Sequence, residues 1–400
     1  MDDPFSHLNP HTRTAAQGPL EGLRVAVQPN LSVAGWPAEA GSAALADFKA
    51  LEDATVIHRL REAGAHLCGT TAMSEFGFGL GASRAAAALV QGLADAELVL
   101  DLAGEARRAA LRAGVCGFKP SHGLVSRLGL TGLIPSMEAI GLLASAIAEL
   151  RRVLEVIAGP DDLDFSMPLE AAPDLAPRAI DPCCTTIGVL PEALEGLSRG
   201  QAEAFRARLS VLEEAGFALR ELPFPEFARF ALVHRIVGSV EASSCAGRYD
   251  GVRYGRRASG ARNWNEMYLR SRAAAFGPLV KRYLFQGAFF QFERYSAFED
   301  ACRIRARLKA AMDRLAAQVD VLALPADSGT VAGDGLSLAG TYAELAPLLF
   351  ANVTGQPALV LPPASGSAGG GLQLTAARRG DGRLLDLGQY LMALDGKGER

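Results

Sequence analysis

The sequence predicts an α/β fold, a largely parallel sheet covered by helices on both faces. Short apolar runs bounded by Gly and Pro alternate along the chain with longer segments of helical period. That is the order in which strands joined by crossover helices are laid down. Several runs, Leu98-Val99-Leu100 among them, read as strands buried on both faces. With 400 residues, 49% of them hydrophobic, the chain easily supports a sizeable core.

Taken in order, residues 1–19 are Pro-interrupted and aperiodic, and read as a flexible lead-in. Leu23 to Val27 is a β-type run ended by Pro29. From Asp53 to Ala63 a helix is predicted, with Asp53 as N-cap, Val56, Ile57, Leu60 and Ala63 on one face, and Gly64 as its stop. Ala85 to Leu93 is Ala-rich and helix-prone. Leu143 to Ile157 is an amphipathic helix closed by Gly159-Pro160. A Pro- and Asp-rich connector fills 160–182. Strands follow at 186–190 and 218–222 around a helix at 200–215. A long helix at 299–319 leads into the strand Val321 to Leu324. Late strands fall at 358–361 and 372–374, and no internal repeat appears.

Composition excludes several function classes. The 40 Lys and Arg against 44 Asp and Glu leave a net charge of −4 with no block of like charge. That argues against a nucleic-acid surface built on bulk positive charge and leaves open only a local patch. Six Cys, with no CxxC pair and with Cys183 and Cys184 adjacent, suit neither a disulfide-stapled secreted fold nor a structural zinc site. No apolar run reaches the ~18 residues of a membrane helix. The N-terminus lacks the apolar centre of a signal peptide. The expectation is a soluble cytoplasmic protein without membrane contact, metal or cofactor. At ~150 residues per domain, length alone suggests two or three domains.

A set of motifs changes that last expectation. Val25-Ala26-Val27-Gln28-Pro29-Asn30 stands where a V-A-V-K-D-N motif would, and Met73-Ser74-Glu75-Phe76 matches N-M-x-E-F. Gly117 to Gly123 with Val125-Ser126-Arg127 matches G-[FL]-K-P-[ST]-x-G-x-V-S-R, and Val156 to Gly159 with Asp164 closes the same stretch. Arg248-Tyr249-Asp250-Gly251-Val252-Arg253-Tyr254-Gly255, then Phe276-Gly277 and Val280-Lys281-Arg282, continue the match. Asn352, Thr354-Gly355 and Pro357 end it. Together these segments resemble the amidase signature family, and in the middle its glutamyl-tRNA(Gln) amidotransferase A-subunit branch. The resemblance implies one large domain, residues 20–395, around a mixed sheet, with a signature core at about 50–160.

The family hydrolyses amides with a Ser nucleophile, a bridging Ser in a cis peptide and a Lys base, while backbone N–H groups hold the oxyanion. Each position can be followed here. The Lys position is Gln28, whose carboxamide takes no proton at any useful pH. Asp101, Gly104 and Arg107 hold the D-x-G-G-S-x-R frame, which puts Glu105 at the nucleophile. Counting back without a gap, the G-G-S-S-G-G loop becomes Gly79-Leu80-Gly81-Ala82-Ser83-Arg84, so Gly81 replaces the bridging Ser. The segment between M-x-E-F and this loop is missing, and the second signature Lys is Thr70. Loss of a nucleophile or base alone costs on the order of 10⁴–10⁶ in rate.

The expectation is therefore a catalytically inactive homologue acting as a binding or structural subunit, with a small accessory protein or a second copy as partner and no direct nucleic acid. The alternative is an amide hydrolase or amidotransferase subunit with residual or rewired activity on a small carboxamide. For that alternative Glu105 and Asp101 are the candidate new carboxylate pair. The plainer reading of Glu105 is a salt bridge to Arg107 or Arg108, or a helix-terminus charge. Cys116, between Val115 and Phe118, reads as a buried structural thiol. His58, His66 and His122 have no ligand spacing, and Ser83 has no nearby Lys. Arg253, Tyr254, Lys281 and Arg282 are candidates to line an anionic-ligand pocket. Structural salt bridging is the plain alternative for them.

Overall fold

The computed structural model describes residues 3–10, 17–168, 170–331, 337–363 and 371–397, and in it the apolar runs become strands of one sheet. These are β1 (Phe5–Leu8), β2 (Arg24–Val27), β3 (His66–Thr71), β4 (Ala96–Asp101), β5 (Cys116–Lys119) and β6 (Ala139–Ala144). They continue with β7 (Thr186–Val189), β8 (Ala218–Glu221), β9 (Val321–Pro325), β10 (Ala358–Leu361) and β11 (Leu372–Thr375). The order across the sheet is β1-β3-β2-β4-β6-β5-β10-β11-β9-β7-β8.

The pairing corrects the largely parallel sheet expected from alternation. β3, β2 and β4 run parallel, as do β9, β7 and β8. The pairs from β4 through β6, β5, β10 and β11 to β9, together with β1 on β3, are antiparallel. The sheet is thus two parallel flanks joined by an antiparallel centre, the mixed sheet that the resemblance implies. Strand direction is set by how distant segments meet, and alternation carries no record of it.

Helices cover both faces, as expected. On one face lie α1 (Thr55–Glu62), α4 (Ile147–Ile157), α5 (Arg199–Glu214) and α12 (Asp381–Lys397), packed on Val25, Leu98, Phe118, Leu142, Ile187 and Leu359. On the other lie α2 (Ala87–Val90), α3 (Glu105–Ala113) and a layer of α6 (Arg229–Ala246), α7 (Trp264–Ala275), α8 (Pro278–Phe292), α9 (Tyr295–Ala316), α10 (Leu338–Leu345) and α11 (Leu349–Thr354). This layer meets the sheet at Leu100, Leu322, Leu324 and Val360.

Three local differences from expectation have physical causes. Residues 5–8, placed in the flexible lead-in, form an edge strand whose alternately half-buried residues pair with β3. Residues 143–144, placed in a helix, complete β6, because a continuous apolar run suits a buried strand as well as a helix. Asp53 does not cap α1. Its carboxylate accepts from the Ala34 N–H at 2.7 Å and pairs with Arg61, so it ties a preceding loop to the helix.

Candidate functional site

The site grows from the end of β4. This strand is buried at all six positions, and it turns through Leu102-Ala103-Gly104 into α3. Gly104 has φ +113°, and a Cβ there would lie 2.4 Å from that of Leu348, so the turn admits only glycine. The turn presents its backbone N–H groups to one point, and the Glu105 carboxylate fills it. One oxygen accepts from the N–H groups of Leu102 at 3.0 Å and Ala103 at 2.7 Å, and the other from Gly79 at 3.2 Å. Glu105 is 2% exposed. Burial first, then the nearby Asp101 charge, push its carboxyl up to about 7.

The salt bridge expected for Glu105 does not form. Arg107 is taken by Asp101, in a two-pronged pair at 3.0 Å for each bond, with both side chains fully buried. Its remaining donors reach the Leu348 carbonyl, the Gln373 amide oxygen and the Asn352 amide oxygen. Asn352 returns donors to both the carboxylate and the carbonyl of Asp101. Burial opposes ionisation of Asp101, but Arg107 and Asn352 overcome it and hold the carboxyl below its ordinary range. Arg108 is taken by Asp327 and Glu344 at 3.0 Å each. Glu105 is a helix-terminus charge without a cation.

The other two positions of the expected triad have surroundings of their own. Gln28 is buried beyond the end of β2. Its N–H donates to the Leu98 carbonyl and its side-chain oxygen accepts from the Leu100 N–H at 2.9 Å, so it extends the ladder between β2 and β4. Gly81 lies exposed in the turn between Gly79 and Arg84. The Ser83 hydroxyl only accepts from the Ala85 N–H.

Above Glu105 the space is closed by side chains that sequence reasoning did not single out. Phe78 stacks on Tyr283, with ring centroids 4.4 Å apart. The Tyr342 and Tyr283 hydroxyls lie 3.1 Å apart. His234 sits with Nε2 2.9 Å from the Leu102 carbonyl and Nδ1 2.9 Å from the Tyr342 hydroxyl. Nε2 therefore carries the proton to the carbonyl, and burial holds the ring neutral, with a pKa lowered to about 4. All four side chains are buried.

Lys119 of β5, fully buried, donates to the Pro120 carbonyl at 2.8 Å. Burial first, then the Arg107 charge, lower its pKa to about 7. Ser121 next to it is held by Asp381 through both its N–H and its hydroxyl.

The motifs spread along the chain also converge. Phe76 of the M-x-E-F match contacts Tyr249 and Phe276, with ring centroids at 5.3 and 6.1 Å. Glu75 accepts from Ser42 and from the Gly277 N–H at the start of α8. The four residues nominated for an anionic pocket lie on the 253–254 turn and on α8. Arg253 lies exposed over the Tyr254 ring at 5.5 Å, Lys281 donates to the Ala273 carbonyl at 2.6 Å, and Arg282 is exposed on α8. Cys116 is buried in β5, and burial pushes its thiol up to about 12. His58 pairs with Glu62 on α1, and the His122 N–H donates to the Gly355 carbonyl. Among the described residues no group of three His, Cys, Asp or Glu side chains is arranged to hold a metal ion.

Known proteins resemble this chain along most of its length. The family model described as Amidase matches residues 7–91 and 83–385, two stretches that overlap at 83–91. The glutamyl-tRNA(Gln) amidotransferase A-subunit of Natronomonas pharaonis is 34% identical over 411 residues, covering 94% of this chain and 96% of that protein. Its namesake from Thermus thermophilus is 34% identical over 395 residues, covering 92% and 83%. Among solved structures, that of the Thermotoga maritima namesake aligns with a TM-score of 0.79 at 22% identity, over 96% of this chain and 85% of that one. The peptide amidase of Stenotrophomonas maltophilia aligns with a TM-score of 0.72 at 24% identity, over 94% and 82%. At these identities the two structures speak for the fold.

Proposed function

The chain belongs to the amidase family, and from that premise we propose that it is an A-subunit-like member whose catalytic position is closed, one that serves a complex by binding or by shape and does not hydrolyse amides. The observation that carries this reading is the Glu105 carboxylate on the N–H groups of Leu102, Ala103 and Gly79. Converging backbone donors of this kind stabilise a developing oxyanion only while their site is free. Here the protein fills that site with its own carboxyl group. Gln28, spent on the Leu100 N–H, has no proton-accepting role to offer, and Gly81 has no side chain at all. Glu105 is buried, as are Phe78, Tyr283, Tyr342 and His234.

The test is direct. Purified protein, alone and after assembly with any partner that co-purifies in fixed ratio, is incubated with glutamine and with a simple aryl amide. Ammonia release at the uncatalysed rate is expected. Turnover that disappears in Glu105→Ala would overturn the reading. It would instead favour the second one, rewired chemistry on a small carboxamide, for which the near-neutral Glu105 beside Asp101 is the supporting observation. A rate profile breaking near pH 7 would then be its signature.

The partner follows from the relatives, which are named as subunits: a small accessory protein, or a second copy of this chain. The proposed location is the cytoplasm, in keeping with six cysteines that are all free thiols. Among the described residues no helix is long and apolar enough to cross a membrane.

A further inference from the structure

We infer that the surface carried by residues 248–272 binds single-stranded nucleic acid, with arginines on the phosphates and Trp264 as the platform for a base. The inference is independent of whether the Glu105 position is closed. Between Arg248 and Arg272 the sequence has seven basic residues and only Asp250 and Glu266 as acids, a local +5 in a chain whose total is −4. This is the local patch that the overall charge leaves open.

The fold gathers these cations around exposed rings. Residues 249–254 form a turn closed by the Gly251 N–H to the Tyr254 carbonyl, and Gly251 packs against Ser271 of α7. Arg257 donates to the Gly251 carbonyl at 2.7 Å while its guanidinium lies 5.9 Å from the centre of the Trp264 ring. Trp264, at the first position of α7, is 62% exposed, and Tyr268 stands 6.2 Å away on the same helix. Arg253 covers the half-exposed Tyr254 ring in the same manner.

Of the two acids, Glu266 is gripped from both sides by Arg262 and Arg270, and Asp250 accepts from the Val252 N–H at 2.8 Å. Arg270 also reaches back to the Gly260 carbonyl, which fixes the 256–263 loop on α7. Arg253 and Arg256 are exposed, and their side chains make no hydrogen bond with the described residues.

Cations alternating with exposed rings match a ligand that alternates charge with flat apolar faces. A single strand does this at every nucleotide, whereas an acidic protein surface offers the charge alone. An apolar partner helix would take the rings but leave the arginines unpaired.

A fluorescein-labelled oligouridine of about twelve nucleotides, the matching oligothymidine and a duplex of the same length serve as probes for the full chain. Expected is binding of one or both single strands, tighter than the duplex, with a slope of log affinity on log salt near −2 to −3 for three or four phosphates at about −0.7 each. Trp264→Ala should weaken binding about tenfold. The double variant Arg253→Glu with Arg256→Glu should weaken it further and flatten the salt slope. Both changes are on the surface, and unchanged thermal unfolding checks that the fold is kept. No binding at about 50 mM salt overturns the inference. So does binding that Trp264→Ala leaves unchanged, that heparin and duplex match, or that polyglutamate displaces as well as a single strand.

Discussion

Asp101 and Glu105 stand four residues apart at the junction of β4 and α3, and both are buried. Burial has opposite consequences for them. Asp101 meets the guanidinium of Arg107 and the amide of Asn352, so it stays ionised below its ordinary range. Glu105 meets only backbone N–H groups, and its carboxyl rises to about 7. One carboxylate belongs to the frame that the sequence shares with the family. The other stands at the position proposed for the reacting group and accepts from three backbone N–H groups. Two equally buried acids in one turn thus divide into a scaffold charge and an internal ligand, and the partner decides which is which.

The largest effect should come from breaking the scaffold side. Asp101→Ala leaves Arg107 buried with its charge uncompensated, and should cost about 3–5 kcal/mol in urea unfolding. A cost no greater than that of a surface substitution would mean that the pair is not the anchor of this junction.

The Glu105 side should answer in the pH dependence of stability. Its carboxyl is neutralised more readily in the folded chain than in the unfolded one, where the ordinary value is 4.5. Its favourable contribution is therefore fully present below pH 4.5, falls as the pH rises towards 7, and is constant above that. Glu105→Gln removes this dependence. The difference between wild type and variant should change by up to about 3 kcal/mol across that window, with the wild type relatively more stable on the acid side. Asp101 works in the opposite sense, losing its contribution as the pH falls through its lowered value, so the two are distinguishable in the same titration. A difference that stays flat from pH 4.5 to 7 would remove the contrast between them.

Much of this junction was legible in the sequence, and the part that was not has a physical reason. The Asp101-x-x-Gly104-x-x-Arg107 spacing located the turn and singled out Glu105 within it. The partners of Glu105 are backbone amides, which carry no residue identity, so the arginines two and three positions on looked like its natural mates. Those arginines are claimed by residues far along the chain, Asn352, Gln373 and Glu344, which only the folded sheet brings near. Closure by His234, Tyr283 and Tyr342 draws on three separate helices, α6, α8 and α10, for the same reason. In the fold, strands and helices followed apolar period. Strand direction and the short edge strand β1 did not, since the first is a property of long-range pairing and the second is half exposed.

Gln28 gives the smallest and most local test of the same contrast. Its side-chain oxygen satisfies the Leu100 N–H, and both residues are buried. Gln28→Ala leaves that donor unpaired and should cost about 1–3 kcal/mol with an unchanged denaturant slope. Hydrogen exchange distinguishes this loss from general loosening. The Leu100 amide should lose protection, while those of Leu102 and Ala103, held by Glu105, should keep theirs. Loss of protection at all three would mean that the base position and the nucleophile position still act as one unit, as a working catalytic site requires. Loss at Leu100 alone means that each position has been absorbed separately into the scaffold, Gln28 as an extension of the strand and Glu105 as a plug.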